Sequence, residues 1–453
     1  MNRRMILKAV AGTAALAAAP RALARTPEFL RPAAFPLDPA LSALSQAARD
    51  AWLYGLALIE NAASRAEVLA RGAPNTVVHE RDLVDASWRR VTTPNNDTLY
   101  SRSWLDLTKG PVRITIPASG DRYLSLAFMD MYMNNFTILG TRTTGNGGGT
   151  FTVVGPMDES DDPLAIRSPT PWVWTTLRVL VAGPEDVAEG RRLQDGFRVE
   201  GPTSAPPRAY ATRTATWDQY FASVQALVLE NPPPATDSAA FLAFAPLGLG
   251  MSGGFDAERF SASQAKEIEA GIAAAKTMMR SAGRQGPIVN GWIFPKTTLG
   301  DFGQDYFYRA QVALGGLGAL PVVEAVYLRP LNETGKASFD SARSWRLRLP
   351  GDSLPPVDGF WSLSMYEETS EGQYFFVDNP IDRYMISDRT AGLVRSAGGA
   401  IEIIMSRSRP EASDVNWLPS PPDRPFGLVF RGYLPKDDLL GGTFRMPRLE
   451  AIG

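Results

Sequence analysis

The chain has 453 residues, of which 44% are hydrophobic and 21% charged, and its formal net charge is −2. These values are typical of a globular protein with a sizeable core, and the length predicts two or three domains. The charge balance gives no sign of the basic face that a nucleic-acid-binding protein needs. The sequence has no cysteine and one histidine, His79, which excludes disulfides and cysteine-based zinc sites and argues against a histidine-rich metal site. We therefore predict no metal and no cofactor.

The first 24 residues have the features of a bacterial export signal. Arg3 and Arg4 give a positively charged start, a run of small apolar residues follows, and residues 22–24 (ALA) form a cleavage signal. The adjacent arginines favour the twin-arginine route, with a Sec signal as the alternative. Either route predicts a periplasmic or secreted protein. No other run approaches 18 apolar residues, so we predict no membrane span after cleavage.

Residues 25–75 form an N-terminal segment that contains one predicted helix. Asp38 followed by Pro39 fits the N-cap and the first position of a helix, and Gly72 marks its expected end. Between these points, apolar residues such as Leu44 and Trp52 recur at helical spacing. One face of this helix is therefore expected to be buried.

Residues 76–209 and 321–453 are predicted to form two β domains, because short runs in both alternate apolar and polar residues between clusters of Gly and Pro. Residues 210–320 are predicted to be helical, with a capping box at Ser261 and Gln264. The predicted fold class is α+β, mainly β with helices. It consists of two antiparallel domains of the β-sandwich or jelly-roll type joined by a helical connector. The lack of βαβ alternation argues against a parallel Rossmann-type sheet.

The sequence PNNDTLY at residues 94–100 is the densest polar group of the first β domain. Asn and Asp side chains readily bond to the backbone two residues further on, so residues 94–98 fit an Asx turn. The same groups also suit a binding site: Asn95 and Asn96 donate and accept hydrogen bonds, Asp97 accepts a proton, and Tyr100 supplies a hydroxyl. The sequence leaves both interpretations open.

His79 is a candidate base, since the ordinary pKa of its imidazole lies near neutrality. A pair of His79 and Asp97 would provide a base with an orienting carboxylate. The alternative is a structural histidine that is hydrogen-bonded in the core.

A second group of candidates lies in the C-terminal β domain. Arg383 and Arg389 offer planar guanidinium groups to a carboxylate or a phosphate, and Tyr384 and Trp417 offer flat apolar faces. Together they describe one wall of a small-molecule pocket. The core of a β sandwich is the alternative.

Two further motifs carry no function in our interpretation. Residues 250–254 (GMSGG) match the pattern of a serine nucleophile, but the only histidine precedes Ser252 and no parallel sheet is predicted around it. We interpret this stretch as a glycine-rich loop. Residues 158–162 (DESDD) lack the spacing of a calcium loop and are predicted to be a solvated acidic turn.

Several separated motifs resemble two families that occur together. In the N-terminal half, the motifs HERDL (79–83), PNNDTLYSRSWLDL (94–107) and GTRTTG (140–145) resemble domain of unknown function 1254. In the C-terminal half, the motifs GFWSLSMY (359–366), NPIDRYMISDRT (379–390) and NWLPSPP (416–422) resemble its usual partner, domain of unknown function 1214. The resemblance implies an exported bacterial protein with two mainly β domains joined by helices, and it implies no settled reaction.

We predict a small-molecule pocket where the two β domains and the helical connector meet. One hypothesis is an envelope enzyme that uses acid–base chemistry or hydrolysis on a small organic substrate. The alternative is a non-catalytic periplasmic binding or structural protein for an amphipathic metabolite or an envelope component. Homo-oligomerisation stays open. The catalytic candidates are His79, Asp97 and Tyr100, and the ligand-binding candidates are Asn95, Asn96, Arg383, Tyr384, Arg389 and Trp417.

Overall fold

The computed structural model describes residues 37–90, 92–283, 286–369, 373–412 and 414–452. The predicted export signal, residues 1–24, lies outside these ranges. Within them, no helix has the length and apolar character needed to cross a membrane.

The N-terminal helix begins later than the sequence predicts. Helix α1 spans Ala43–Leu69, and the side chain of Ser42 caps it by accepting a hydrogen bond from the Ser45 amide at 3.1 Å. Asp38 instead accepts from the Ala40 amide in the turn that precedes the helix. The predicted Asp38 cap is therefore wrong, because two residues suited to capping lie four positions apart and the second one begins the helix.

The first β region is a two-layer sandwich. One sheet has the strand order β1-β2-β8-β4-β5 and the other has the order β7-β6-β3-β9. Apolar side chains such as Leu105, Ile114 and Leu177 fill the space between the two sheets. The pairing of β6 with β7 is parallel, whereas the other pairs of this region are antiparallel. The elements are β1 (Val78–His79), β2 (Thr98–Asp106), β3 (Val112–Ile116), β4 (Leu124–Met129), β5 (Asn135–Gly140), β6 (Gly149–Val154), β7 (Ile166–Arg167), β8 (Trp172–Leu180), helix α2 (Val187–Gly196) and β9 (Arg198–Glu200).

A helical layer covers the outer face of the first of these sheets. Its helices are α3 (Trp217–Glu230), α4 (Ser238–Ala243), α5 (Ala262–Ser281) and α6 (Tyr306–Gly315). The predicted capping box of Ser261 and Gln264 starts α5. Helix α1 is the centre of this layer, since it packs against α3, α5 and α6. The apolar core of the layer includes Trp104 and Trp174 of the sheet, so helices and sheet share it.

The second β region is also built from two sheets. One has the order β10-β11-β12-β20-β15-β16, with β13 beside β20 and β17 beside β15, and the other has the order β19-β18-β14-β21. Side chains such as Trp345, Leu363 and Phe430 pack between them. The strands β18 and β19 are parallel, which departs from the predicted antiparallel arrangement. The elements are β10 (Ile288–Val289), β11 (Trp292–Ile293), β12 (Ala325–Pro330), β13 (Ser338–Phe339), β14 (Ser344–Leu349), β15 (Trp361–Glu368), β16 (Tyr374–Phe375), β17 (Met385–Ser387), β18 (Ile401–Ser406), β19 (Asn416–Pro419), β20 (Phe426–Tyr433), helix α7 (Asp437–Leu440) and β21 (Glu450–Ile452).

The two β regions contact each other directly. The carboxylate of Glu324, which is fully buried, accepts hydrogen bonds from the Tyr123 hydroxyl at 2.7 Å and from Arg142 Nε at 2.5 Å. Tyr123 also packs against Phe360 and Tyr433 of the second region, with ring centroids 5.5 Å and 5.4 Å away. The chain is therefore an α+β protein whose two β regions share a buried contact.

Candidate functional site

A cavity of about 1020 Å³ lies where the helical layer meets the two β regions. This volume is at the upper end of the range of roughly 300–1,000 Å³ that is usual for ligand pockets. Its walls combine aromatic and aliphatic side chains with polar and charged ones. The next crevice measures about 10 Å³, room for about one water molecule. The large cavity is therefore the candidate functional site.

The first wall is one face of the β2–β8 pair. Tyr100 lies opposite Arg178 and Arg102 lies opposite Thr176, and all four residues line the cavity. Alternate residues of a strand point to the same face, which also places Trp174 on this wall. The intervening residues of β8 pack inside the sandwich. The wall is thus the outer face of the first sheet, in a gap that the helices leave open.

The second wall is one face of the β12–β20 pair. Tyr327 lies opposite Arg431, and Arg329, Val429 and Tyr433 share the same alternation. The arginine–tyrosine pairing of the first wall therefore recurs on the second. Both sheets present a basic and aromatic face to the same cavity.

The helical layer closes the third side with mostly apolar groups. Helix α6 contributes Val312 and Leu314, and the loop after it contributes Leu317 and Gly318. Gly318 has a φ of +80°, and a Cβ there would lie 3.2 Å from the ring of Trp174. A glycine is needed at this position because it combines a left-handed backbone with a close approach to the sheet.

The cavity has an excess of positive charge. Its basic lining residues are Arg102, Arg178, Arg213, Lys276, Arg280, Arg329 and Arg431, whereas Glu368 is the only acid among the described lining residues. Within the described residues, Arg102 is paired with Glu67 and Glu80, and Arg213 is paired with Glu60. The excess of basic over acidic lining residues favours an anionic or electron-rich occupant.

Arg178 is a buried cation of this cavity, and no carboxylate of the described residues forms an ion pair with it. It is 7% exposed, and its Nη2 donates to the Gly318 carbonyl at 2.7 Å. Its buried Nη1 has no hydrogen-bond acceptor within the part of the chain that the structure describes. Its electrostatic neighbours include the phenols of Tyr100, Tyr327 and Tyr433, which are not carboxylates. A buried cation without an anion is costly, so this position is suited to receiving one.

The PNNDTLY segment forms the predicted turn and also borders the cavity. Asn95 Oδ1 accepts hydrogen bonds from the Asp97 and Thr98 amides at 3.3 Å and 3.2 Å, which confirms the Asx turn. Asn95 Nδ2 donates to the Tyr433 hydroxyl at 2.7 Å, and Arg431 donates to the carbonyls of Thr93 and Pro94. The turn is therefore attached to the second wall. Asn95 and Tyr100 line the cavity, whereas Asn96 donates to the Val84 carbonyl outside it.

Asp97 is buried at the contact between the two β regions. Its Oδ2 accepts from the Ser362 hydroxyl at 2.7 Å, and its Oδ1 lies 4.0 Å from Arg389 Nη2. Burial raises the pKa of this carboxyl above its usual value, and Arg389, Ser362 and Arg431 counteract that rise. Asp97 is not among the residues that line the cavity.

His79 lies at the edge of the first sheet, away from Asp97. Its Nδ1 is 2.8 Å from Ser101 Oγ, and the structure forms no contact between His79 and Asp97. Burial, assisted by the Arg81 guanidinium, lowers the pKa of the imidazole to about 4. The imidazole is therefore neutral at pH 7, and it does not line the cavity.

The C-terminal candidates do not share the cavity with Asn95 and Tyr100. Arg383 and Tyr384 line the crevice of about 10 Å³, and Arg383 donates to the Trp417 carbonyl at 3.0 Å. Trp417 is buried and donates from Nε1 to the Ser406 carbonyl at 3.0 Å. The Arg389 guanidinium lies 4.1 Å from the ring centre of Phe360 and donates to Asp388. The structure thus places these four residues in packing and ion-pair contacts outside the large cavity.

Sequence reasoning missed the arginines of the two walls. The alternation of Leu177 and Val179 implies that Arg178 lies on the opposite face, but a solvated arginine gives the same pattern. The run YLRP, residues 327–330, has the same ambiguity. The signal that could have found them is arginine or tyrosine at alternate positions of strands in both β regions.

No cluster of three or more potential metal ligands occurs among the described residues. A scarcity of carboxylates in the cavity fits this finding, because Ca²⁺ and Mg²⁺ need several oxygen ligands. The lining instead offers guanidinium, phenol, indole and amide groups. Those groups recognise organic molecules and anions.

The structure is that of a two-domain α+β protein with a ligand-sized space between the domains. Residues 74–201 match the family described as protein of unknown function (DUF1254), and residues 324–437 match protein of unknown function (DUF1214). The chain belongs to the proteins that combine these two families. The matches confirm the resemblance seen in the motifs.

Two solved structures are similar to this chain. The VPA0106 protein from Vibrio parahaemolyticus has 22% identity and a TM-score of 0.66, and the match covers 90% of this chain and 100% of that one. This similarity shows that the two chains share a fold. An uncharacterized protein from Burkholderia cenocepacia has 13% identity and a TM-score of 0.45, with 90% and 94% of the two chains covered. No curated protein matches the chain.

Proposed function

We propose that this chain binds a small organic molecule in the cavity between its two β domains. The observation that supports this most directly is the composition of the walls. Two sheets and a helical layer border a cavity of about 1020 Å³, and they line it with both apolar and polar side chains. Ligand pockets have this combination, whereas packing defects are small and apolar.

The polar groups of the cavity are held in place before any ligand arrives. Tyr433 accepts from Asn95, Tyr327 accepts from the Leu320 amide at 3.2 Å, and Arg178 donates to Gly318. Rigid groups lose little conformational freedom on binding, which favours affinity. This supports binding as the role of the cavity.

The enzymatic hypothesis retains one candidate in the cavity. Tyr100 is the catalytic candidate that lines it, and the Arg178 guanidinium lies 5.6 Å from its ring centre. A phenol beside a cation is suited to donating a proton or stabilising negative charge on a substrate. In this alternative, Tyr100→Phe abolishes turnover while ligand affinity stays within a few-fold of the parent value.

Binding is tested with the neutral fluorescent probe N-phenyl-1-naphthylamine, whose emission rises in apolar surroundings. We expect saturable binding to the parent chain. Leu314→Trp fills part of the cavity from helix α6 and is expected to weaken binding about tenfold or more, equivalent to about 1.4 kcal/mol. The matched control is Leu242→Trp, which adds the same ring at a side chain 77% exposed and outside the cavity.

Two results would contradict the proposal. One is emission that rises linearly with probe concentration, as it does for non-specific surface binding. The other is equal affinity for the parent, Leu314→Trp and Leu242→Trp. Circular dichroism of each variant verifies that it is folded before the affinities are compared.

We also propose export to the periplasm or beyond, supported by the twin arginines and cleavage signal of residues 1–24. The mature chain is expected to begin at Arg25 when it is purified from its own cells. Replacement of both Arg3 and Arg4 by lysine should retain the precursor in the cytoplasm. Export that persists in this double variant would indicate the Sec route, and an unprocessed cytoplasmic parent chain would contradict export.

A further inference from the structure

We propose that the ligand of this cavity is an organic monocarboxylate with an apolar body, and that its carboxylate binds to Arg178 between the two sheets. This inference rests on the proposed function and specifies the chemistry of the ligand. It assigns the anion-binding role to a residue of β8 and the orienting role to tyrosines of the second wall.

The first observation is the buried and incompletely bonded guanidinium of Arg178. More than nine-tenths of this residue is buried, it lines the cavity, and its Nη1 lacks an acceptor in the described ranges. A guanidinium stays charged at any physiological pH, so burial cannot neutralise it as it would a lysine. A carboxylate in the cavity would give the charge of this guanidinium a counterion.

The second observation is that Arg178 has hydroxyl donors among its neighbours in the cavity. Arg178 has the phenols of Tyr327 and Tyr433 as electrostatic neighbours, and both residues line the cavity. Each phenol oxygen already accepts a hydrogen bond, from the Leu320 amide and from Asn95 respectively. Each hydroxyl proton is therefore directed to a different acceptor, and a carboxylate has four lone-pair sites for such donors.

The third observation is the apolar surface that extends from Arg178. Trp174 lies four residues before Arg178 on the same strand face, about 13 Å along the strand. Trp174, Val312, Leu314 and Leu317 all line the cavity. A molecule with one acidic end and an apolar body therefore satisfies the cation and covers the apolar wall at the same time.

The single charge of the Arg178 guanidinium matches a monoanion better than a dianion. Arg431, the nearest equivalent on the second wall, already donates to Ser364 and to the carbonyls of Thr93 and Pro94. It also has Asp97 as an electrostatic neighbour, which offsets its charge. A phosphate would need a second free cation at the same point, so the carboxylate is the better match.

The experiment compares three probes that share one fluorophore: dansyl-glycine, its neutral amide dansyl-glycinamide, and dansyl-aminomethylphosphonate. For the parent chain, we expect the carboxylate to bind about tenfold to a hundredfold more tightly than the amide, the range of a charge-assisted hydrogen bond. In Arg178→Met this preference should vanish. In Arg178→Lys, which keeps the charge but loses the planar fork, it should return in part.

Arg113→Met is the matched control, because it makes the same substitution at a side chain that is 61% exposed and lies outside the cavity. It should keep the carboxylate preference within about twofold, as expected of a solvated surface charge.

The melting temperature of ligand-free Arg178→Met separates binding from a structural role. An anion-binding arginine predicts an unchanged or higher value, since the variant loses an unpaired buried charge. A marked fall would assign Arg178 to the fold and overturn the inference.

The other outcomes are equally decisive. If the amide and the carboxylate bind equally to the parent, and Leu314→Trp weakens both, the cavity binds ligands but the carboxylate site is refuted. A preference for the phosphonate over the carboxylate would also refute it. If none of the three probes binds to the parent and N-phenyl-1-naphthylamine does not bind either, the proposed function fails with it.

Discussion

The imidazole of His79 is half-buried at the edge of the first sheet, where burial and the Arg81 guanidinium disfavour its protonated form. Its pKa is about 4, whereas an unfolded chain has the ordinary value near 6.5. Between these values the unfolded state binds more protons than the folded state does. His79 therefore reduces the stability of the fold as the pH falls from about 6.5 to 4, and has no such effect above pH 6.5.

The first prediction is that the single histidine of this chain titrates far below neutrality. NMR signals of the His79 ring should stay constant from pH 8 to pH 6 and shift with a midpoint near pH 4. The same signals in urea-unfolded protein should have a midpoint of about 6.5, which serves as the control. A folded-state midpoint between 6 and 7 would show that His79 is more exposed than the structure indicates.

At the scale of single residues, the sequence predicts interactions between residues that lie close together in the chain. The Asx turn at Asn95 was predictable because its acceptor and both donors lie within four positions of one another. The role of Arg178 was not, because it depends on which strands face β8 across the cavity. Chemistry that arises from two distant segments leaves no local pattern.

Helices α1 and α5 cross at a point where their backbones nearly touch. A Cβ built at Gly271 of α5 would lie 2.1 Å from the backbone oxygen of Ser45 and 3.0 Å from the Cβ of Ala48 in α1. The obstructing atom is main chain, so it cannot rotate away as a side chain could. The glycine determines how closely these two helices pack, and this crossing supports the helical wall of the cavity.

The second prediction follows from that contact. Gly271→Ala should lower the free energy of unfolding by about 2 kcal/mol, because overpacking outweighs the gain of about 1 kcal/mol in helix propensity. Chemical denaturation measures this value. Gly147→Ala is the control, since a Cβ at that loop position has no neighbour within 4 Å, and its effect should stay below about 0.5 kcal/mol. An unchanged free energy of unfolding in Gly271→Ala would mean that the two helices can move apart at little cost.

At the scale of elements, periodicity predicted most strands but not every boundary. The runs around Ile114, Leu126 and Leu347 form strands with those residues buried, since alternation reflects a sheet with one face in a core. The start of α1 was displaced because Asp38 and Ser42 are both good caps. The parallel pairs β6–β7 and β18–β19 were not predicted, because pairing direction depends on contacts between segments.

The two β regions are joined by a buried charge. Glu324 belongs to the second region and is fully buried, yet its partners Tyr123 and Arg142 belong to the first. Arg142 reaches it from a side chain that is 34% exposed. Removal of one partner from such a pair leaves an uncompensated charge inside the protein, which is more costly than the loss of the attraction itself.

The third prediction concerns this pair. Arg142→Met should lower the free energy of unfolding by about 3 kcal/mol, because the buried Glu324 side chain loses its cationic partner. The double variant Arg142→Met/Glu324→Gln should recover much of that loss, since an uncharged amide can still accept from Tyr123. Thermal and urea unfolding measure both values.

The matched control for this prediction is Arg113→Met. Arg113 is paired with Glu200 on the surface, where both side chains are more than half exposed, so the effect should be below about 1 kcal/mol. Similar losses for Arg113→Met and Arg142→Met would indicate that the interdomain pair is solvated. A double variant less stable than Arg142→Met would show that the Glu324 charge is not the source of the loss.

At the scale of the whole molecule, the class of fold was predictable but the position of the cavity residues was not. Alternation and motif order indicated two β regions with helices between them. They could not indicate that α1, far from α5 and α6 in the chain, is the centre of the helical layer. They also could not distinguish Arg383 and Trp417, which pack within the second region, from Arg431, which borders the cavity.

The division of the cavity between two sheets bears on whether the two β regions can be encoded by separate genes. One wall comes from β2 and β8, the other from β12 and β20, and neither sheet encloses the space by itself. A gene that encoded only one of the two regions would produce one wall of the cavity, with the arginines and tyrosines of that wall facing solvent. Such a fragment would need a separate polypeptide to complete it. Fusion of both regions in one reading frame supplies the two halves in equal number and at a fixed distance.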